Sequence, residues 1–262
     1  MKREETVSPA MRERVLAALN DIEARHQVRV LYACESGSRG WGFSSPDSDY
    51  DVRFIYVHQP EWYLRVEPPR DVIELPIDSE LDICGWELRK TLGLLKAANP
   101  TLMEWLDSPV IYRQHAETAQ ALRGLVPDFF SDLRARYHYL SMAKKNFRGY
   151  LQDEQVRLKK YFYVLRPLLA VQWIEAGKGV PPMRFDQLMA GTVSDPLLRT
   201  EIEALLARKR QAGEAEHGPR RERIHAFIEQ QLAQLERPPL SDAIRRDASA
   251  LNRLLMQTVL TP

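Results

Sequence analysis

The sequence predicts an α+β fold: a mixed β-sheet head with flanking helices over residues 1–113, then an all-α helical domain over residues 114–262. Three observations predict it. Runs of β-branched and aromatic residues fall at 28–34, 52–57, 72–75 and 80–84, all before residue 113. Beyond residue 114 such runs largely disappear. Six segments there carry helical periodicity instead: 115–125, 129–151, 154–176, 195–209, 219–235 and 241–260. Third, Pro127, Gly177 to Pro182, Gly213, Gly218 and Pro238-Pro239 fall between or at the edges of these segments, where chain breaks belong.

Taken in order, residues 8–26 read as a helix. Ser8 suits the N-cap, Pro9 suits the first turn, and Met11, Val15, Leu19 and Ile22 form one apolar stripe. Residues 28–34 are almost continuously apolar, as expected of a strand covered on both faces. A second strand ends near Val57. Pro60 and Pro68-Pro69 bound a helical turn at Trp62-Tyr63-Leu64. Residues 71–76 and 80–84 read as paired strands across a turn at Asp78-Ser79. A helix over 86–98 places Leu88, Leu92 and Leu95 on one side, and Asn99-Pro100 breaks it. A short helix over 101–107 uses Trp105 for packing, and Val110-Ile111-Tyr112 forms a further strand or an extended connection.

Composition narrows the function classes. A chain of 262 residues suggests one to two domains. Its net charge of +1 supplies no global field toward nucleic acid, so any such contact must come from a local patch. No run of about twenty apolar residues is present to span a membrane. Met1-Lys2-Arg3-Glu4-Glu5 lacks the apolar stretch of a signal peptide, so a cytoplasmic protein is expected. Cys34 and Cys84 lie in core strands without metal-ligand spacing, and read as buried reduced thiols. Arg208-Lys209-Arg210 and Arg220-Arg221-Glu222-Arg223 sit among glutamates, as on charged surface helices.

The chemistry concentrates in residues 35–56, ESGSRGWGFSSPDSDYDVRFIY. Strand alternation puts Asp49 and Asp51 on one face and Tyr50 and Val52 on the other. Two like charges side by side repel, and become useful when a hard divalent ion lies between them. Mg²⁺ takes carboxylate oxygens and shares the rest of its shell with water and phosphate. Gly37-Ser38, at a strand-to-helix turn, allows close backbone approach, and its amides can hold phosphate oxygens. Phosphate beside a carboxylate-bound metal is the setting for phosphoryl or nucleotidyl transfer. Arg39 and Arg53 lie close in sequence, and Arg53 follows Asp51 by two and so shares its face. On the neighbouring strand, Asp82 or Glu80 supplies a third carboxylate, depending on register.

A Gly-Ser helix start followed by Asp-x-Asp resembles the DNA polymerase β-type nucleotidyltransferase superfamily. More closely, residues 35–39, 41–43 and 48–53 resemble the predicted nucleotidyltransferase family known as YcgL or RlaP, often described as linked to RNA repair. Two further segments carry the same resemblance: 82–90 with Asn99-Pro100 and Glu104-Trp105-Leu106, and 160–163 with 166–170. The resemblance implies a nucleotidyltransferase-like head and a metal-dependent transferase. Asp49, Asp51 and Asp82 would hold Mg²⁺, with Mn²⁺ as the alternative, and Asp82 would activate the acceptor. Gly37, Ser38, Arg39 and Arg53 would hold the nucleotide, with Lys144, Arg148, Lys160 and Arg166 of the helical domain neutralising phosphate. ATP is the expected donor. The acceptor is a hydroxyl of an RNA end, a protein or a small molecule.

Three rival readings keep the same residues. A non-catalytic nucleotide-binding module would typically lose a carboxylate, and all candidates are present. An antitoxin-like member of the superfamily would act on or cover a protein. A glycosyltransferase could use Asp-x-Asp for a sugar nucleotide, but usually after a longer nucleotide-binding βαβ region, which 48 residues barely allow.

Overall fold

A computed structural model describes residues 7–77, 80–211, 216–234 and 247–261. By contacts the chain falls into two compact units. Described residues within 1–40, 49–129 and 245–262 make the first, and those within 41–48 and 130–244 the second. The change of composition near residue 113 does not coincide with this division. The helix that follows it, α6 (Ala116–Phe129), packs with the strands of the first unit. Leu122, fully buried, anchors it there.

The first unit is a five-stranded sheet with helices, and it bears out the α+β class. Its strands are β1 (Val28–Glu35), β2 (Tyr50–His58), β3 (Val72–Glu74), β4 (Leu81–Glu87) and β5 (Ile111–Gln114), in the order β3-β4-β2-β1-β5. β2 and β4 run parallel, while the other three pairings are antiparallel, so the sheet is mixed. Helix α1 (Pro9–His26) opens the chain. Ser8 Oγ accepts from the Met11 amide at 3.2 Å, and Met11, Val15, Leu19 and Ile22 are all buried. This stripe joins Val52, Phe54, Tyr56 and Ile83 in one apolar cluster. Alternation then turns Asp51, Arg53 and Ile55 of β2 to the other face.

The remaining helices of this unit are α2 (Gly37–Trp41, of which Trp41 is counted with the second unit), α3 (Pro60–Tyr63), α4 (Leu88–Lys96), α5 (Pro100–Leu106), α6 and α12 (Ser249–Leu260). Two expectations are corrected. Trp86 does not start a helix but ends β4, because Glu87 takes the N-cap of α4, accepting from the amides of Arg89 and Lys90. Asn99 does not close α4 but caps α5, its Oδ1 accepting from Leu102 N at 3.2 Å. Trp105 is core, stacked on Trp86 at 3.8 Å between centroids. Cys34 is fully buried and its thiol pKa is pushed up to about 12 by that burial, whereas Cys84 is half-buried rather than core.

One position in the sheet is closed to any side chain. A Cβ on Gly85 would stand 2.5 Å from Phe54 Cδ2, and closer still to the rest of that ring. Phe54 is fully buried, so the ring cannot yield to solvent. Gly85→Ala is expected to destabilise the fold by about 1–3 kcal/mol through overpacking. Urea denaturation of the variant beside the parent measures it.

The second unit holds α7 (Asp132–Tyr150), β6 (Gln155–Arg157), α8 (Lys160–Glu175), α9 (Phe185–Thr192), α10 (Pro196–Gln211), β7 (His217–Pro219) and α11 (Glu222–Gln234). It is not all helix: the helix expected from residue 154 begins at Lys160, because residues 155–157 pair antiparallel with 217–219. Pro127 lies inside α6 rather than between helices, and Pro167 lies inside α8. The loop segment 41–48 belongs to this unit through Phe43, which packs on Phe162 and Phe185. Asp78-Ser79, Gly213 and Pro238-Pro239 lie outside the described residues. Among the described residues no helix is long and apolar enough to cross a membrane.

Candidate active site

The site is set by the end of β1, the start of α2 and the facing ends of β2 and β4. Parallel pairing puts Asp51 directly opposite Asp82. Glu80 lies before β4, exposed, with its carboxylate 3.3 Å from Arg14. The register therefore brings Asp82, not Glu80, to Asp51. Asp49 precedes β2 and is exposed.

Gly37 makes the approach of Asp51 to the chain possible. Its φ is +54°, and a Cβ there would stand 2.8 Å from Asp51 Cγ, with Oδ2 closer still. Only glycine meets both demands at low cost. The Ser36 amide donates to Asp51 O at 2.8 Å, tying the turn to β2. Ser38 is buried beside it. Arg39 lies over the Tyr50 ring at 3.7 Å and donates from Nε to the Asp49 carbonyl at 3.3 Å. It holds the entry of β2 by its main chain.

Arg53 joins the two carboxylates. Its Nη2 donates to Asp51 Oδ1 at 3.0 Å and to Asp82 Oδ2 at 2.7 Å. Its Nη1 donates to the carbonyls of Val52 at 3.0 Å and Asp82 at 3.1 Å. Burial works against the Arg53 charge, but the Asp82 hydrogen bond and the charges of Asp51 and Asp82 outweigh it, and its pKa is raised.

Glu35 is the first residue of the motif stretch, and its role emerges only in the fold. It is fully buried, accepts from the Asp51 amide at 2.8 Å through Oε1, and accepts the Tyr112 hydroxyl through Oε2. Burial pushes its pKa up to about 7 against the pull of those two bonds. A carboxylate ending an otherwise apolar buried strand was the available signal, since such a group must find internal donors.

The cations of the second unit are dispersed in use. Arg166 is 2% exposed, donates to the Met183 carbonyl at 3.3 Å and lies 4.8 Å from the Trp41 ring. Lys160 lies over the rings of Tyr150 at 3.9 Å and Tyr163 at 4.7 Å. On α7, Lys144 is half-buried and Arg148 is exposed.

The donor chemistry suits a hard divalent ion. Such an ion is commonly held by one or two carboxylates and completes its shell with water and phosphate, and Asp51 with Asp82 supplies that pair. A protein cage is a different matter. Among the described residues no three acidic, histidine or cysteine side chains are gathered to enclose an ion, and Arg53 spans the pair.

The chain is 50% identical over 251 residues to the uncharacterized protein YcgL of Bacillus subtilis (strain 168), covering 95% of this chain and 96% of that one. A crystal structure of a nucleotidyltransferase-like protein from Exiguobacterium sibiricum aligns with 95% of this chain and 76% of its own, at 13% identity and a TM-score of 0.31. Residues 11–257 match the model of RlaP, described as an RNA repair pathway DNA polymerase beta family. With nearly its whole length matched, the chain belongs to the RlaP family.

Proposed function

We propose that this chain is a Mg²⁺-dependent nucleotidyltransferase that moves a nucleoside monophosphate from a nucleoside triphosphate, ATP foremost, to a hydroxyl acceptor at an RNA end. Family membership supports a nucleotidyltransferase-type role and sets aside the sugar-nucleotide reading of Asp-x-Asp. The observation that carries the finer reading is the in-register pair Asp51 and Asp82 beside the Gly37-Ser38 turn.

Asp51 and Asp82, with Asp49, would hold the metal, which when bound supplies positive charge to the reacting phosphate. The chain's own groups do the rest. The main-chain amides at the Gly37-Ser38 turn would donate to phosphate oxygens beside the Asp51 carboxylate. Arg53 adds positive charge beside the two carboxylates, and Arg39 adds it at the entry of β2. Asp82 takes the proton of the attacking hydroxyl as its oxygen bonds to the α-phosphorus and the bond to pyrophosphate breaks.

The test is transfer from α-labelled ATP with Mg²⁺ to cellular RNA and, separately, to a protein extract, with Asp51→Asn as the blank. Label in RNA that is lost with Asp51→Asn is the expected result. Label confined to protein would move the acceptor. No label with any of the four nucleotides would leave a small-molecule acceptor or a non-catalytic nucleotide-binding module.

A further inference from the structure

We infer that Arg53 is a resident counter-cation that competes with the metal for Asp51 and Asp82, so that a divalent ion binds well only when a polyphosphate takes over the guanidinium. The inference rests on the metal reading of the site and adds to it an order of events.

The geometry divides the guanidinium into two halves. Nη2 alone contacts both carboxylates, at 3.0 Å and 2.7 Å. Nη1 is anchored on two main-chain carbonyls of adjacent strands. The side chain is 18% exposed, and those of Asp51 and Asp82 are 30% and 29% exposed. In this partly desolvated setting two facing carboxylates carry −2, and Arg53 brings the group to −1. An incoming divalent ion meets a fixed positive charge already bonded to the oxygens it needs. It must displace Nη2 and then remain beside it, at a charge of +1 for the group. A polyphosphate changes both terms. It offers Nη2 new anionic acceptors, in the geometry guanidinium favours, and it removes the excess positive charge.

The expected consequence is that metal affinity depends on Arg53 in the absence of nucleotide. Mn²⁺ is the probe, its free concentration read by electron paramagnetic resonance during titration of the full chain. Arg53→Met keeps an unbranched stem and removes the charge. It is expected to bind Mn²⁺ at least about tenfold more tightly than the parent, and Asp51→Asn added to it is expected to abolish the gain. A second readout is thermal unfolding. Arg53→Met leaves the carboxylates facing each other without a cation, so its melting temperature is expected to fall and to be restored by millimolar Mg²⁺, whereas the parent responds little. Should Arg53→Met fail to fold, Arg53→Lys takes its place, since one ammonium cannot reproduce the four-bond bridge. It is expected to bind Mn²⁺ more tightly than the parent by at least about threefold.

Equal Mn²⁺ affinity in parent and variant would overturn the inference and leave the metal reading standing. Absence of Mn²⁺ binding by parent and variant alike, with ATP present as well as absent, would overturn both. Adding α,β-methylene-ATP to the parent is expected to tighten Mn²⁺ binding beyond what the analogue chelates in a protein-free control, and no such change would also overturn the inference.

Discussion

Gly37→Ala is expected to depress nucleotidyl transfer nearly as far as Asp51→Asn, by about a hundredfold or more, although it adds one methyl group and removes no charge. The methyl would occupy the place of the Asp51 carboxylate, 2.8 Å from its Cγ. Asp51 cannot retreat freely. Its amide is held by Glu35, its carbonyl by Ser36, and its Oδ1 by Arg53. A displacement of about 1 Å in a reacting group is enough to cost about 10² in rate. The left-handed φ of +54° adds backbone strain of about 1 kcal/mol for alanine. The two effects separate experimentally. Denaturant unfolding reads the strain, and the α-labelled ATP assay reads the displacement. Full transfer by Gly37→Ala would mean that Asp51 does not need its place beside the turn.

Glu35→Leu is expected to be the more damaging change to stability. It keeps the site apolar and filled but strips partners from the Asp51 amide and the Tyr112 hydroxyl. Each buried donor left unpaired costs about 1–3 kcal/mol, so a loss of roughly 2–5 kcal/mol is expected in chemical denaturation. The same residue gives a pH dependence with a definite sign. Its pKa is raised from 4.5 to about 7 in the fold, so the folded chain holds the proton more tightly. The stability it adds is complete below about pH 4.5 and is lost as pH rises through about 7, on the order of 3 kcal/mol. His58 works in the opposite direction. Burial lowers its pKa from 6.5 to about 4, so its contribution is present above 6.5 and lost as pH falls through about 4. The two partly cancel between pH 4.5 and 6.5, and the parent's profile alone would mislead. The informative quantity is the difference between parent and Glu35→Gln. That difference is expected to shrink as pH rises from about 4.5 to 7, and a difference constant with pH would remove Glu35 as its source.

What could be read from sequence follows the range of the interactions. Asp51 and Arg53 share a face because strand alternation is local, and α1 has its cap and stripe as read because both are written within a few residues. Asp82 facing Asp51 needed a parallel pairing of strands separated by β3, and only the register distinguishes it from Glu80. Glu35 was legible as an anomaly but not as a support, since Tyr112 lies 77 residues away. The burial of Arg166 is hidden from the sequence for a related reason. A cation on a helix reads as exposed unless the apolar residues around it are known to enclose it, and here Trp41 comes from far earlier in the chain. The start of α4 was misplaced because the glutamate that caps it also ends a strand.

The position of α12 has a consequence for the order in which the molecule is made. Its buried face, Leu251, Leu254 and Thr258, packs with α4, α6 and β2, and Arg29 of β1 donates to the Thr258 carbonyl at 2.9 Å across 229 residues of chain. A ribosome releases all five strands of the sheet, and then the whole helical unit, before this helix exists. Contacts of such separation close slowly, because the chain between must be confined first. The unit that holds Asp51 and Asp82 is therefore the first begun and the last finished, and until α12 emerges its apolar faces on α4 and α6 lack the helix that covers them.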